Sequence, residues 1–400
     1  MLKKKKLEIP HNMGVGTMAW GDEKAGFVSD PKYKPKLGEF NPADLQQGAY
    51  NALVEAGIAL FDTSDVYGYK SVKAGFSAEQ LLGRFAEEKG RPLIAAKYMP
   101  ILWTRFLIGG PWRAGRRAIA KALGNTLDRG GWAYVDLYQV HFPFPYLGGM
   151  DALAEGMAAA CDRGLCRSVG VSNFNAKQIR EFSEKLEKYG VSIASNQVEY
   201  SLVNQDADED GTLAECNRLG VVLLAHTPLA KGLASGVYTA SNPTGGKMGM
   251  PKYNFQDLMP LTPVHTALVE VAKRVEGRLS VEAKEEQKMA FEELEDGEEQ
   301  APPPKPKKVS TTQVALNYVR AKGFVPLPGV KTRAHADEVI GCLGWFLVQQ
   351  DVDILDAAYS AYKANTGGKT IKRSKERDVM KRKSVTFKKN RTWTSKTDEY

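Results

Sequence analysis

Four residues that can donate or hold a proton lie at or just beyond the ends of apolar runs. Asp62 and Tyr67 belong to the segment FDTSDVYG at 61–68, Lys97 ends the run 93–97, and His141 follows the run 135–140. A lysine ammonium stabilises a neighbouring phenolate, so this combination predicts a lowered Tyr67 pKa and proton donation near neutral pH. Asp62 is the expected partner of the lysine; Asp65 is the alternative partner and is otherwise expected to cap the loop. A histidine nearby can hold a carbonyl oxygen, which makes carbonyl chemistry the first hypothesis.

Such chemistry requires elements that bring distant strand ends together. Apolar runs of four to eight residues alternate with segments of helical period along most of the chain. Repeated βα units predict parallel strands, and eight units predict an α/β fold closed into a (β/α)8 TIM barrel, whose strand ends share one face. The predicted strands are 13–17, a strand around Phe61, 93–97, 135–140, 169–172, 195–199, 221–225 and 324–327.

The helices between these strands are predicted from amphipathic period, caps and glycine stops. Ser77 is the expected N-cap of the helix that begins at residue 78, and the last predicted helix should pack across the barrel. The predicted helices are 43–56, 78–85, 116–127, 152–161, 176–188, 212–219, 266–275, 312–321, 334–343 and 353–364.

The pattern assigns residues 1–367 to the barrel domain. Two segments of the chain are additional to a minimal barrel: an insertion within that domain and a tail after it. Residues 278–300 carry nine Asp or Glu against three Lys or Arg, and APPPKPKK follows at 301–308. We interpret the region 277–308 as an inserted surface loop, partly helical, that ends in a proline spacer; a partner-docking site is the alternative. The second segment, 368–400, is a basic tail that we expect to be disordered.

The net charge of +8 comes entirely from that tail. Residues 368–400 contain twelve Lys or Arg and four Asp or Glu, so the other 367 residues have no net charge. A neutral body argues against a nucleic-acid binder, although the tail could touch RNA, acidic lipid or an acidic partner.

Further composition limits the class of protein and its compartment. The chain has 43% apolar residues and no run of eighteen of them, so a membrane span is not predicted. The basic start is not followed by an apolar signal core, and the four cysteines form no CxxC pair, which favours a reducing compartment, cytoplasm or plastid (chloroplast) stroma. The five histidines show neither HxxxH nor HExxH spacing, so no metal site is predicted.

The motifs and their order resemble those of the aldo-keto reductase family. Their sequences are closest to those of its plant and algal members, which are often plastid-targeted. We call Asp62, Tyr67, Lys97 and His141 the tetrad. It is accompanied by GVSNF at 170–174, SNQVEYS at 195–201, TPLAKG at 227–232 and PLPGVK at 326–331. The resemblance covers roughly residues 7–360. It implies that Asp62, Tyr67, Lys97 and His141 are catalytic, with Tyr67 as the general acid in carbonyl reduction.

The resemblance also implies a nicotinamide dinucleotide cofactor. Ser172, Asn173 and Gln197 match the residues that hold its carboxamide, and Lys331 is a candidate ligand of a 2′-phosphate, so NADPH is favoured over NADH. The phosphates are expected along the loops after strands seven and eight. The remaining expected cofactor contacts are His226, Thr227, Leu229, Lys231, Gly232, Gly329, His335 and Glu338.

The chain departs from the family pattern at two cofactor positions. His226 stands where the family commonly has a tyrosine that stacks on the nicotinamide, which predicts weaker binding or altered redox dependence. The loop after strand eight lacks the arginine that many members use for the 2′-phosphate, and His335 lies near that position. The loop 98–115 is also longer than expected.

One motif needs a different interpretation. Gly14-Val15-Gly16-Thr17-Met18-Ala19 fits the dinucleotide fingerprint G-x-G-x-x-A, but that motif opens a helix, and here a Pro/Lys-rich loop follows. We therefore assign it to the first barrel strand. Trp20, Trp103 and Trp112 are expected to line the substrate pocket; exposed loop tryptophans are the alternative for the last two.

The sequence thus predicts an NADPH-dependent reductase of aldehydes or ketones, with reactive aldehydes of a photosynthetic compartment as reasonable substrates. The alternative within the same fold is a non-catalytic or weakly catalytic NADP(H)-sensing regulatory subunit of the potassium-channel β type.

Overall fold

The computed structural model describes residues 7–22, 42–102, 104, 106, 112–244, 253, 255–292 and 307–367. Eight parallel strands lie side by side in chain order within these residues. Gly16 also pairs in parallel with Gly329, two residues after the last strand, so the sheet curls round to a nearly closed barrel. The predicted fold is confirmed. The strands are β1 Gly14–Gly16, β2 Leu60–Asp62, β3 Leu93–Tyr98, β4 Val135–Val140, β5 Cys166–Ser172, β6 Ile193–Glu199, β7 Val222–His226 and β8 Phe324–Leu327.

Helices connect the strands and follow the last one. They are α1 Pro42–Glu55, α2 Ala78–Lys89, α3 Arg116–Gly130, α4 Gly149–Asp162, α5 Ala176–Glu187, α6 Asp206–Glu209, α7 Thr212–Leu219, α8 Phe255–Leu258, α9 Thr262–Glu292, α10 Thr311–Ala321, α11 Arg333–Ile340 and α12 Gln349–Thr366. The N-cap predicted for α2 is confirmed, because Ser77 Oγ accepts from the Gln80 backbone N–H in a complete capping box. Gly220 ends α7 in the left-handed conformation, as predicted.

The glycines of β1 allow this strand to lie close to β8. A Cβ on Gly14 would lie 2.6 Å from the Leu327 side chain, and one on Gly16 would lie 3.1 Å from the Leu327 carbonyl oxygen. The G-x-G pattern therefore lets β1 meet the end of β8, and no helix opens at these residues.

Alternation along the strands separates two apolar layers. Phe61, Ile94 and Tyr138 belong to the large cluster that packs against the surrounding helices. Their neighbours Leu60 and Leu137, with other strand residues, form a separate cluster that fills the barrel interior. The next inward positions toward the carboxyl ends of the strands are polar, and they form the candidate site.

The helix after β7 is longer than the predicted one, and the first half of the insertion is helical, in keeping with the partly helical loop predicted there. The helix predicted at 266–275 is α9, which continues to Glu292, so the first half of the predicted insertion is regular helix. Its many Glu, Lys and Ala residues have high helix propensity, which explains the continuation. Residues 293–306 and the tail 368–400 lie outside the described residues.

The last helix, α12, packs on α9 rather than only on the barrel. Leu355 and Tyr362 share an apolar cluster with Leu268 and Val271 of α9. The fully buried Asp351 carboxylate lies 2.8 Å from both Arg274 Nε and Arg278 Nη1, so ion pairs join the two helices.

None of the helices within the described residues is both long and apolar enough to span a bilayer.

Candidate active site

Strand alternation brings Asp62 and Lys97 to one face. Asp62 lies two residues beyond the interior residue Leu60, and Lys97 lies two beyond the interior residue Ala95. Parallel pairing sets Asp62 beside Ala95, so the two charged side chains converge above the apolar interior. The Lys97 ammonium forms an ion pair with Asp62 Oδ1, and both residues are buried, at 0% and 3% exposure. Asp62 is thus the lysine's partner, as the sequence predicts.

Tyr67 reaches the same point from the loop after β2. Its hydroxyl lies 3.2 Å from Lys97 Nζ. Burial raises the pKa of Tyr67, and the Lys97 charge opposes that effect only in part. This direction corrects the expected lowering: desolvation of the phenolate outweighs its attraction to the ammonium. Tyr67 is therefore a neutral phenol at neutral pH, the protonation state that a proton donor needs.

The charge on Lys97 is maintained by its partners. Burial opposes the charged amine, but Asp62 and Tyr67 together outweigh burial and raise the pKa of Lys97 above its ordinary value. The second oxygen of Asp62 accepts hydrogen bonds from Gln139 Nε2 at 3.1 Å and Gln197 Nε2 at 2.8 Å. Two amides therefore hold the carboxylate that orients the lysine.

His141 lies beside Tyr67 at the end of β4. The two rings meet edge to face with centroids 5.8 Å apart, and Phe142 stacks on the imidazole with centroids 4.8 Å apart. Burial, reinforced by the Lys97 charge, holds the pKa of His141 well below its ordinary value, so the ring is neutral. The Nδ1 atom lies 3.1 Å from Ser64 Oγ.

The three residues expected to hold the carboxamide lie at adjacent strand ends. Ser172 Oγ donates to the Gln197 carbonyl oxygen at 2.9 Å, and Asn173 Nδ2 contacts Ser172 Oγ at 3.0 Å and the His141 carbonyl oxygen at 3.1 Å. Asn173 has a left-handed backbone with φ of 62°, which turns its amide toward His141. The structure thus brings these residues together with the tetrad.

His226 hydrogen-bonds within the same group of residues. Its Nε2 lies 3.0 Å from Asn173 Oδ1 and its Nδ1 lies 3.1 Å from Thr227 Oγ1. Burial, together with the Lys97 charge, lowers the pKa of His226 to about 4. The imidazole is therefore neutral and can orient the Asn173 amide through Nε2.

The loops after β7 and β8 provide a region suited to phosphates. Thr227 and Lys231 have left-handed backbones, and Gly232 has a φ of 101°, so this loop doubles back tightly. Lys331 precedes α11, where Thr332 is the N-cap and accepts from the His335 backbone N–H. Lysines and a helix N-terminus after strands seven and eight are a common phosphate-binding arrangement in barrels, so the residues present fit a dinucleotide.

Leu229, Gly329 and Glu338 have largely structural contacts. Leu229 accepts from the Gly232 backbone N–H at 2.8 Å, which closes the turn after β7. Gly329 pairs with Gly16 at the barrel seam. Glu338 accepts a hydrogen bond from the Ser310 hydroxyl, so its carboxylate is engaged at the start of α10.

The tryptophans divide into three cases. Trp20 is 0% exposed, packs against Phe61 and Phe85, and donates from Nε1 to the Val330 carbonyl oxygen at 2.8 Å. This corrects the expected pocket role. Burial of the large ring in the core stabilises the fold, and its N–H has a hydrogen-bond partner there. Trp103 lies outside the described residues. Trp112 is 53% exposed, so it lies at the surface of the loop before α3.

Several site residues were missed in the sequence. Gln139 was hidden within an apolar strand, although a glutamine two residues before His141 must share its face. Phe142 directly follows the histidine. Asp65, expected only as a loop cap or alternative lysine partner, forms a buried ion pair with Arg113 at 2.8 Å. No local pattern identifies Arg113, because its partner lies 48 residues away.

Comparison with known proteins agrees with this geometry. The chain is 29% identical over 343 residues to a chloroplastic pyridoxal reductase of Arabidopsis thaliana, which covers 85% of this chain and 80% of the relative. A glycerol dehydrogenase from Gluconobacter oxydans has the same fold, with a TM-score of 0.60, 21% identity, and coverage of 93% and 98% of the two chains. An aldo-keto reductase from Klebsiella pneumoniae solved with NADPH gives a TM-score of 0.55 at 18% identity, covering 90% and 96%. The model of the aldo/keto reductase family matches residues 12–360, and the chain therefore belongs to that family.

Proposed function

We propose that this protein reduces aldehydes or ketones to alcohols with NADPH, and that Tyr67 donates the proton. Membership in the family makes the chain an oxidoreductase that reduces carbonyl compounds. The observation that carries the finer proposal is the 3.2 Å contact between the Tyr67 hydroxyl and Lys97 Nζ, with Lys97 paired in turn to Asp62.

The roles follow from the chemistry of each side chain. The cofactor, when bound, supplies a hydride to the carbonyl carbon. Tyr67 gives its proton to the carbonyl oxygen as negative charge develops there, and the Lys97 ammonium stabilises the resulting phenolate. Asp62 keeps the amine charged and in place, while the neutral His141 donates a hydrogen bond to the same oxygen.

The cofactor sites are part of the proposal. Ser172, Asn173 and Gln197 hold the carboxamide, and the loops that carry Lys231 and Lys331 bind the phosphates. Related proteins were solved with NADP and with NADPH, which supports a nicotinamide cofactor, and Lys331 supports the phosphorylated form. Pyridoxal is the first aldehyde to test, and a plastid location is the first to examine, because the Arabidopsis relative is a chloroplastic pyridoxal reductase.

The test is steady-state oxidation of NADPH and of NADH with pyridoxal and a panel of other aldehydes, for the wild type and Tyr67→Phe. We expect turnover in Tyr67→Phe to fall by roughly 100-fold to 10,000-fold, with cofactor affinity nearly unchanged. Turnover of the variant within a few-fold of wild type would refute the role of Tyr67. A single slow turnover with tightly retained cofactor would instead favour the sensor function of the potassium-channel β type.

A further inference from the structure

Behind His141 lies a chain of buried polar groups that the proposed reaction does not use. His141 Nδ1 lies 3.1 Å from Ser64 Oγ, and Ser64 Oγ lies 3.3 Å from Asp65 Oδ1. The other Asp65 oxygen lies 2.8 Å from Arg113 Nη1. Ser64, Asp65 and Arg113 are 0%, 2% and 1% exposed, so water does not compete for these contacts.

The Ser64 hydroxyl has one hydrogen and two possible acceptors. If it donates to Asp65, the hydroxyl oxygen must accept from His141, so Nδ1 carries the imidazole hydrogen and Nε2 is only an acceptor. If it donates to Nδ1, the hydrogen of the neutral ring is on Nε2. Only the second arrangement lets Nε2 donate to a carbonyl oxygen.

Arg113 decides between these arrangements. An isolated buried carboxylate would be the stronger acceptor and would take the Ser64 hydrogen. The Arg113 guanidinium and the Met99 backbone N–H, at 3.5 Å, both approach Oδ2. The guanidinium neutralises the charge that the two carboxylate oxygens share, so Oδ1 is a weaker acceptor here than in an isolated carboxylate. Of the two possible acceptors of the hydroxyl hydrogen, His141 Nδ1 is the nearer, at 3.1 Å against 3.3 Å for Asp65 Oδ1.

We propose that Ser64 is a positioning residue that donates to Nδ1 of His141 and so fixes the hydrogen on Nε2, and that the Asp65–Arg113 ion pair keeps Ser64 in that role. This inference rests on the proposed function for its consequence, since a fixed Nε2–H serves as the donor to the substrate oxygen. It also links Arg113, which lies between β3 and α3, to the tautomer of His141.

The test reads the tautomer directly. Protein labelled with ¹⁵N only in histidine has five side chains to follow, and His141→Asn assigns the signal of His141. We expect the wild type to show a protonated Nε2 and an unprotonated Nδ1. Ser64→Ala should populate both tautomers and lower turnover by roughly tenfold, the value of one net hydrogen bond, with the KM for NADPH unchanged. Ser64→Thr, which keeps the hydroxyl, should restore the wild-type spectrum.

Ser71→Ala is the matched control. That serine is also buried, and among the described residues its hydroxyl donates to the Gly21 carbonyl oxygen at 2.9 Å and not to the tetrad. It should leave the His141 signals unchanged.

The ion pair is tested by Arg113→Met and by the double variant Asp65→Asn/Arg113→Met. In the single variant the unpaired Asp65 should take the Ser64 hydrogen, move the imidazole hydrogen to Nδ1 and lower turnover. In the double variant the neutral amide should let Nε2–H return. A wild-type spectrum in Arg113→Met would overturn the role of the ion pair.

A protonated Nδ1 in the wild type, or a His141 spectrum unchanged in Ser64→Ala, would overturn the proposal even if the variants of Arg113 fail to fold. The spectrum needs no substrate. Absence of NADPH oxidation together with the expected spectrum would therefore reject the proposed function while the role of Ser64 stands.

Discussion

The hydroxyl of Tyr67 lies 3.2 Å from the ammonium of Lys97, which is 0% exposed and paired with Asp62. The amine therefore has a carboxylate on one side and a phenol on the other. The Asp62 carboxylate holds the amine in the interior, and the amine is available to stabilise the ionised form of Tyr67.

The first prediction concerns the stability of this pair. Lys97→Met leaves the Asp62 carboxylate buried without its counter-charge, so we expect the free energy of unfolding to fall by about 3–5 kcal/mol, measured by urea denaturation. The double variant Lys97→Met/Asp62→Leu should recover most of that loss while remaining inactive. A single variant as stable as the wild type would show that the pair is not essential to the core.

The second prediction concerns His141 as a donor to the substrate. His141→Phe removes that donor, so turnover should fall by roughly 100-fold to 1,000-fold while the dissociation constant of NADPH stays within a few-fold. His265→Asn is the control, because that histidine is also buried but contacts the Leu233 carbonyl oxygen at 2.9 Å. Equal losses in the two variants would argue against a specific role for His141.

The third prediction concerns cofactor choice. If Lys331 binds the 2′-phosphate, Lys331→Met should reduce the preference for NADPH over NADH by roughly 10-fold to 100-fold, the range of a charge-assisted hydrogen bond. Measuring kcat/KM for both cofactors checks this. Lys322→Met is the control, since Lys322 lies before β8 at the opposite end of the barrel and pairs with Asp356 at 3.4 Å. If Lys331→Met leaves the preference for NADPH unchanged, a residue other than Lys331 binds the 2′-phosphate.

The fourth prediction concerns acid stability. His226 has a pKa lowered to about 4, so between about pH 6.5 and pH 4 the unfolded chain binds a proton that the folded chain does not. Stability should therefore fall as the pH falls through this window, by as much as about 3 kcal/mol from this residue. His226→Tyr should flatten the dependence. His141 contributes in the same direction, so some slope should remain; an identical slope in the variant would contradict the prediction.

The fifth prediction concerns the helices beyond the barrel. Asp351→Ala leaves Arg274 and Arg278 without the carboxylate that joins α9 to α12. Both arginines are partly exposed, so we expect a loss of about 1–2 kcal/mol in the free energy of unfolding. Asp353→Ala, on the exposed face of α12, should change it by less than about 0.5 kcal/mol. Similar effects of the two substitutions would mean that the ion pairs add little.

The sequence by itself determined the architecture of this chain and the central ion pair. Strand and helix periods are local properties, so all eight strands could be located, and a two-residue alternation places Asp62 and Lys97 above the apolar interior. Helix ends were less well predicted: α9 extends to Glu292, because a charged segment with high helix propensity resembles a surface loop in composition.

Only the tertiary structure decided which groups surround the tetrad. The burial that raises the pKa of Tyr67, the core position of Trp20 and the Asp65–Arg113 pair all depend on segments far apart in the chain. Burial and ion pairing are properties of neighbours in space, and no spacing along the polypeptide encodes them. The strand ends could therefore be named in advance, whereas their electrostatic environment required the fold.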